Sequence, residues 1–143
     1  MTEKLYITWD EFHKDTKELC SKIKAKGQYN KIIAVSRGGL LPAGIVAYEL
    51  NIRDTEVVNM STYDGEKQRQ QNCFEIKPAE VGIVDERTLV IDDLSDTGNT
   101  FNLLRQMFPK ACFVSVYAKS KGKSYVDVFT REMPDSWIVF PWD

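Results

Sequence analysis

Twice in this chain a short apolar, largely β-branched run ends in a glycine-bearing turn that opens directly into a helix, and this repetition constrains the fold more than any other feature. The first run is Lys31-Ile-Ile-Ala-Val-Ser36, broken by Arg37-Gly38-Gly39. The second is Thr88-Leu-Val-Ile91, followed by Asp92, Asp93 and a polar turn up to Gly98. Apolar runs of this length without alternation are what strands buried on both faces look like. After the first, residues 40–50 read as a helix, because Pro42 is tolerated in a first turn and Leu41, Ile45, Val46 and Leu50 form a buried stripe. After the second, Phe101, Leu104 and Phe108 mark the inner face of a helix that Pro109 ends. Strands alternating with helices predict an α/β fold with a mainly parallel, twisted sheet flanked by helices, in which ligands bind at the carboxyl ends of the strands.

The remaining segments fit one domain over residues 1–143. Thr8 and Glu11 form a capping box, and Trp9, Phe12, Thr16, Leu19, Cys20 and Ile23 fall on one helical face before Gly27 stops the pattern. His13 lies off that face and reads as structural. Residues 56–63 and 112–118 read as further strands, and 136–143 as an aromatic closing segment. Residues 64–86 are polar and glutamine-rich, with an extended stretch near 81–84, and read as a long flexible loop of the kind that covers active sites. Nineteen Lys and Arg against twenty-one Asp and Glu give a net charge of −2, so no basic field draws nucleic acid to the molecule. Three widely spaced cysteines without a CxxC pair suit reduced thiols and a cytoplasmic setting. The sequence lacks a long apolar span and the apolar centre of a signal peptide, which predicts a soluble protein.

Chemistry concentrates in the second turn. From Asp96 through Thr97, Gly98, Asn99 and Thr100, backbone N–H groups can converge at a helix N-terminus beside two hydroxyls, which is how helix ends hold phosphate. Adjacent Asp92 and Asp93 point to opposite sides of a strand, so they can meet ligand hydroxyls or a hydrated divalent cation such as Mg²⁺. Taken alone, Asp96 or Thr97 could equally be a plain N-cap.

The whole stretch Thr88-Leu-Val-Ile-Asp-Asp-Leu-Ser-Asp-Thr-Gly-Asn-Thr100 resembles the thirteen-residue phosphoribosyl pyrophosphate signature of type I phosphoribosyltransferases. Residues 34–42 are similar to the family's pyrophosphate loop, and Ser61-Thr-Tyr-Asp64, Tyr117-Ala-Lys119 and the segments at Trp137 and Pro141 resemble its bacterial xanthine-guanine branch. The resemblance implies that Ser36, Arg37 and Gly38, with Arg69 and Lys67 from the loop, hold the pyrophosphate of the donor, with a cis peptide expected between Ser36 and Arg37. It implies that Asp92 meets the ribose, that Asp93 meets Mg²⁺, and that residues 96–100 hold the 5-phosphate. Asp96 is then the catalytic acid–base group near N7 of the base. Lys119 would face the 6-oxygen of a purine, Trp137 would stack on the ring and the Ile138 backbone would read its edge, within a small hood spanning 119–143. Mid-strand lysines are otherwise solvated edge residues, and lone tryptophans are otherwise core aromatics, as Trp142 is read here.

The expected reaction is displacement at the anomeric carbon through an oxocarbenium-like transition state, with pyrophosphate leaving and a purine nucleotide formed. Xanthine, guanine and hypoxanthine are not ranked by these residues. A regulator built on the same fold, sensing the donor or a nucleotide while binding nucleic acid, is the alternative and would require a basic face. The segment between Gln70 and Arg87 is longer than the family's, and the sequence stops at Asp143 without the family's further tail, so no firm membrane contact is expected. A homo-oligomer, dimer or tetramer, is expected.

Overall fold

The computed structural model describes residues 3–62, 72–75 and 80–143. Its main sheet holds six strands: β2 (Lys31–Ser36), β3 (Thr55–Thr62), β4 (Asn72–Glu75), β5 (Thr88–Ser95), β6 (Cys112–Lys119) and β7 (Val128–Met133). Their order is β4-β3-β2-β5-β6-β7, parallel throughout except for the antiparallel β3–β4 pair. Alternate residues face opposite layers. Ile32, Ala34, Leu89 and Ile91 join a core beneath α1 (Trp9–Lys26) and α2 (Leu40–Glu49). Ile33, Val35, Val90 and Phe113 pack on the other face against Phe101 and Leu104 of α3 (Asn99–Met107). Burying both faces is why these strands carry unbroken apolar runs.

The capping box forms: the Thr8 N–H donates to Glu11 Oε1 at 2.9 Å and the Glu11 N–H to Thr8 Oγ1 at 3.1 Å. One side chain on α1 departs from expectation, and a second is buried despite its charge. Trp9 is 55 % exposed, whereas Asp15 is buried. Burial of that carboxylate is tolerated because Tyr117 donates its hydroxyl to Asp15 Oδ2 at 2.7 Å and Arg131 lies 3.4 Å away. Burial, with the Asp15 hydrogen bond next, raises the Tyr117 hydroxyl pKa, so the phenol stays protonated as donor.

Three further differences concern strands. β5 does not end at Ile91 but continues through the acid pair to Ser95, because β6 runs beside it and pairs Asp92 with Ser115, Leu94 with Tyr117 and Ser95 with Ala118. The expected long loop contains β4, which Met60 and its neighbours on β3 supply with an antiparallel ladder. The rest of that segment up to residue 79 lies outside the described residues. Near the closing segment, β7 joins the main sheet, while β8 (Trp137–Val139) pairs in parallel with β1 (Lys4–Tyr6) as a separate two-stranded ribbon. Among the described residues, no helix is long and apolar enough to cross a membrane.

Candidate active site

The connection from β2 leads to β3 on one side, while its other neighbour is β5, so the strand order reverses between β2 and β5. Ligands of open α/β sheets bind at the carboxyl ends of the strands at such a reversal. Both glycine turns lie there. Following β2, the Ser36–Arg37 peptide is cis. The turn is then closed by the Gly39 N–H donating to Val35 O at 2.8 Å and the Leu40 N–H to Arg37 O at 3.0 Å. A Cβ on Gly38 would lie 2.5 Å from an oxygen of the Asp93 carboxylate, so only glycine lets the two turns approach this closely. Arg37, Gly38 and Asp93 face a groove of about 750 Å³ that Phe140, Trp142 and Asp143 complete.

The turn after β5 has a different build. Gly98 takes φ 93° and precedes α3 with no side chain capping the helix; the Asn99 N–H reaches Thr97 Oγ1 at 3.3 Å. Thr97 thus takes the Asn99 N–H, while the N-cap position itself falls on Gly98, which has no side chain to offer, and the Thr100 and Phe101 N–H groups are left to an external partner. A cavity of about 90 Å³ sits over them, lined by Asp92, Asp96, Thr97, Gly98, Asn99 and Thr100 among others. Beside it, Lys119 at the end of β6 points its Nζ to both Asp96 oxygens at 3.5 Å. The Lys119 side chain is 12 % exposed and that of Asp96 58 %, so a nearly buried cation is held under an accessible carboxylate. Trp137 on the ribbon is 64 % exposed, and its neighbour Ile138 is buried. Trp142, by contrast, is packed: it stacks on Phe140 at 4.8 Å and meets Phe12 edge-on at 4.9 Å.

This arrangement has counterparts among known proteins. The family model described as the phosphoribosyl transferase domain matches residues 8–143. The chain belongs to the phosphoribosyltransferase family. Among curated relatives of this phosphoribosyltransferase, the xanthine-guanine phosphoribosyltransferase of Idiomarina loihiensis is 48 % identical over 141 residues, covering 96 % of this chain and 86 % of that protein. The enzyme of the same name from Nitratidesulfovibrio vulgaris (strain Hildenborough) is 44 % identical over 138 residues, covering 96 % and 83 %. A solved purine phosphoribosyltransferase from Pyrococcus horikoshii Ot3 superposes with a TM-score of 0.82 at 26 % identity, over 99 % of this chain and 94 % of that one.

Electrostatics in the phosphoribosyltransferase site centre on the two adjacent acids. The Asp93 N–H donates to Asp92 Oδ1 at 2.8 Å, and strand alternation sends Asp92 toward the small cavity and Asp93 toward the groove. Burial raises both carboxyl pKa values, and the neighbouring Asp93 charge raises that of Asp92 further. A divalent cation is the natural relief for such a pair. Among the described residues no three His, Cys, Asp or Glu side chains converge. A protein that offers one or two carboxylates and leaves the other positions to water and substrate oxygens fits Mg²⁺ better than it fits a metal caged by side chains.

Sequence reasoning missed two contributors to this site. Tyr125, from the 3-10 turn Lys123–Tyr125, lays its ring where a Cβ on Gly98 would stand, and Asp143 lines the groove beside Asp93. The positive φ at Gly98 was legible from the glycine alone, but the ring that fills the adjoining space comes from 27 residues away and has no local signal. Arg69 and Lys67 lie outside the described residues.

Proposed function

We propose that this phosphoribosyltransferase transfers the 5-phosphoribosyl group of phosphoribosyl pyrophosphate to a 6-oxopurine, among xanthine, guanine and hypoxanthine, in purine salvage. The observation that carries the reading is the Lys119–Asp96 pair at 3.5 Å on the rim of the phosphate cavity. A nearly buried ammonium donates to a 6-oxygen and opposes the 6-amino group of adenine, itself a donor. The accessible Asp96 carboxylate stands where a proton leaves the base on glycosylation. Exposed Trp137 offers a face for the purine, and the Ile138 backbone offers its polar groups to the ring edge. The uncapped N–H groups of α3 and the Thr97 and Thr100 hydroxyls take the 5-phosphate, while Asp92 orients the ribose hydroxyls. Ser36, Arg37 and Gly38, with Arg69 from the loop, hold the leaving pyrophosphate.

Asp93 would hold Mg²⁺, which when bound with the donor neutralises charge on the pyrophosphate. Because the transition state carries positive charge on the sugar, positioning and fixed charges supply most of the acceleration. The reading includes a homo-oligomer, a dimer or tetramer, in the cytoplasm, with no nucleic-acid partner and no firm membrane contact.

The test offers xanthine, guanine, hypoxanthine, adenine and orotate separately, with phosphoribosyl pyrophosphate and Mg²⁺. Turnover is expected with the 6-oxopurines only. Failure with every base overturns the reading in favour of a ligand-sensing regulator. Asp96→Asn keeps the shape and removes the basic group, and is expected to lower kcat by about 10²-fold or more; an unchanged kcat removes Asp96 from the acid–base role.

A further inference from the structure

The uncapped N-terminus of α3 raises a question of support. Within the turn the side-chain support is one long hydrogen bond, the Asn99 N–H to Thr97 Oγ1 at 3.3 Å, and the N-cap residue Gly98, at φ 93°, offers none. What stands against it is the ring of Tyr125, which occupies the space beside the Gly98 Cα. Tyr125 is itself clamped. Arg105, on the same helix as the phosphate turn, donates Nε and Nη2 to Tyr125 O at 3.2 and 2.9 Å. The guanidinium lies 4.4 Å from the centre of the Phe113 ring and 3.1 Å from Asp127, whose carboxylate also accepts the Phe113 N–H at 2.8 Å. Two of the three partners of Arg105, Phe113 and Asp127, are thus fixed to the sheet.

We infer that Tyr125, clamped by Arg105, is a positioning residue that holds the Gly98 turn open for the 5-phosphate. The inference rests on the proposed function, since it needs a phosphate at that turn. Arg105 is not itself a ligand: its planar fork is spent on one carbonyl, one carboxylate and one aromatic face, which a lysine could not reproduce. The Tyr125 ring, not its hydroxyl, does the positioning, because the phenol oxygen has no hydrogen bond among the described residues. The same segment also ties the turn to the base site. The Gly122 N–H donates to Lys119 O at 3.0 Å and Ser95 Oγ donates to Gly122 O at 2.9 Å, so the strut begins at the lysine and ends on the phosphate turn.

The test compares the affinity of the full chain for guanosine 5′-monophosphate with that for guanosine, by calorimetry, so that the ratio isolates the phosphate. Tyr125→Ala is expected to reduce that ratio by about tenfold while guanosine binding moves less than about twofold. Tyr125→Phe is expected to leave the ratio unchanged, and Arg105→Met to lower it with Arg105→Lys restoring little. Should Tyr125→Ala fail to fold, Tyr125→Leu fills part of the space and is read instead. An unchanged ratio in Tyr125→Ala or Tyr125→Leu, equal losses for both ligands, or a Tyr125→Phe variant as weak as Tyr125→Ala overturns the positioning role. A native chain that binds guanosine as tightly as its monophosphate overturns the phosphate reading itself, and this inference with it.

Discussion

The two turns at the strand-order reversal are built from opposite materials. The turn after β2 brings a cis peptide and Gly38 up against the Asp93 carboxylate, and Arg37 lines the same groove. The turn after β5 presents the uncapped end of α3 and hydroxyls, and it is buttressed by a tyrosine rather than by charge. Backbone dipoles are fixed in direction by the helix and need no counter-ion to hold an anion. A site that sets a carboxylate beside its anion pocket must screen that carboxylate before an anion can enter. Strand alternation gives each turn one of the adjacent acids, Asp93 to the first and Asp92 to the second, so what separates the two cases is the close approach of Asp93 to Gly38.

If the comparison holds, metal removal has the largest effect, and it is confined to one turn. Chelation of Mg²⁺ is expected to abolish nucleotide formation and measurable pyrophosphate binding while leaving the affinity for guanosine 5′-monophosphate nearly intact. Calorimetry with both ligands in the presence and absence of EDTA reads this directly, and equal losses at both turns would erase the distinction. Gly38→Ala comes next. The added methyl would force the turn away from Asp93, and turnover is expected to fall about 10²-fold, with the monophosphate affinity again little changed. Steady-state kinetics in the donor separate this from a general loss of fold.

The turns themselves were legible, because a β-branched run followed by Gly-Gly or by Asp-Thr-Gly is a local pattern with local causes. Thr8 and Glu11 were legible for the same reason: both hydrogen bonds of the capping box span three residues. What the sequence withheld depends on partners distant along the chain. β5 reads as ending at Ile91, since Asp92 and Asp93 are poor strand formers, yet the β6 ladder carries it four residues further. That extension decides on which side each acid emerges. The burial of Asp15 depends on Tyr117 and Arg131 arriving from β6 and β7, and Trp9, at the first position of its helix, meets Trp142 at 5.9 Å yet stays 55 % exposed. In the candidate site, Asp96 and Lys119 were each visible, but their 3.5 Å approach across β5 and β6 was not. Tyr125 is the clearest case, because no periodicity links it to Gly98.

The smallest expected effect is also the one that best sharpens the contrast between a turn held by charge and a turn held by packing. Gly98→Ala faces two penalties: a positive φ of 93° that a side chain resists, and overlap with the Tyr125 ring. Together they are expected to lower unfolding stability by about 1–3 kcal/mol. The two are separable in a double-mutant cycle. In a Tyr125→Ala background the overlap is gone, so Gly98→Ala should retain only the left-handed penalty of about 1 kcal/mol. Urea denaturation of the four proteins measures the difference. Coupling between the sites would show that the second turn takes its shape from a packed ring. Strict additivity would mean that Gly98 holds its conformation without the ring, and would leave the helix end alone responsible for the shape of the small cavity.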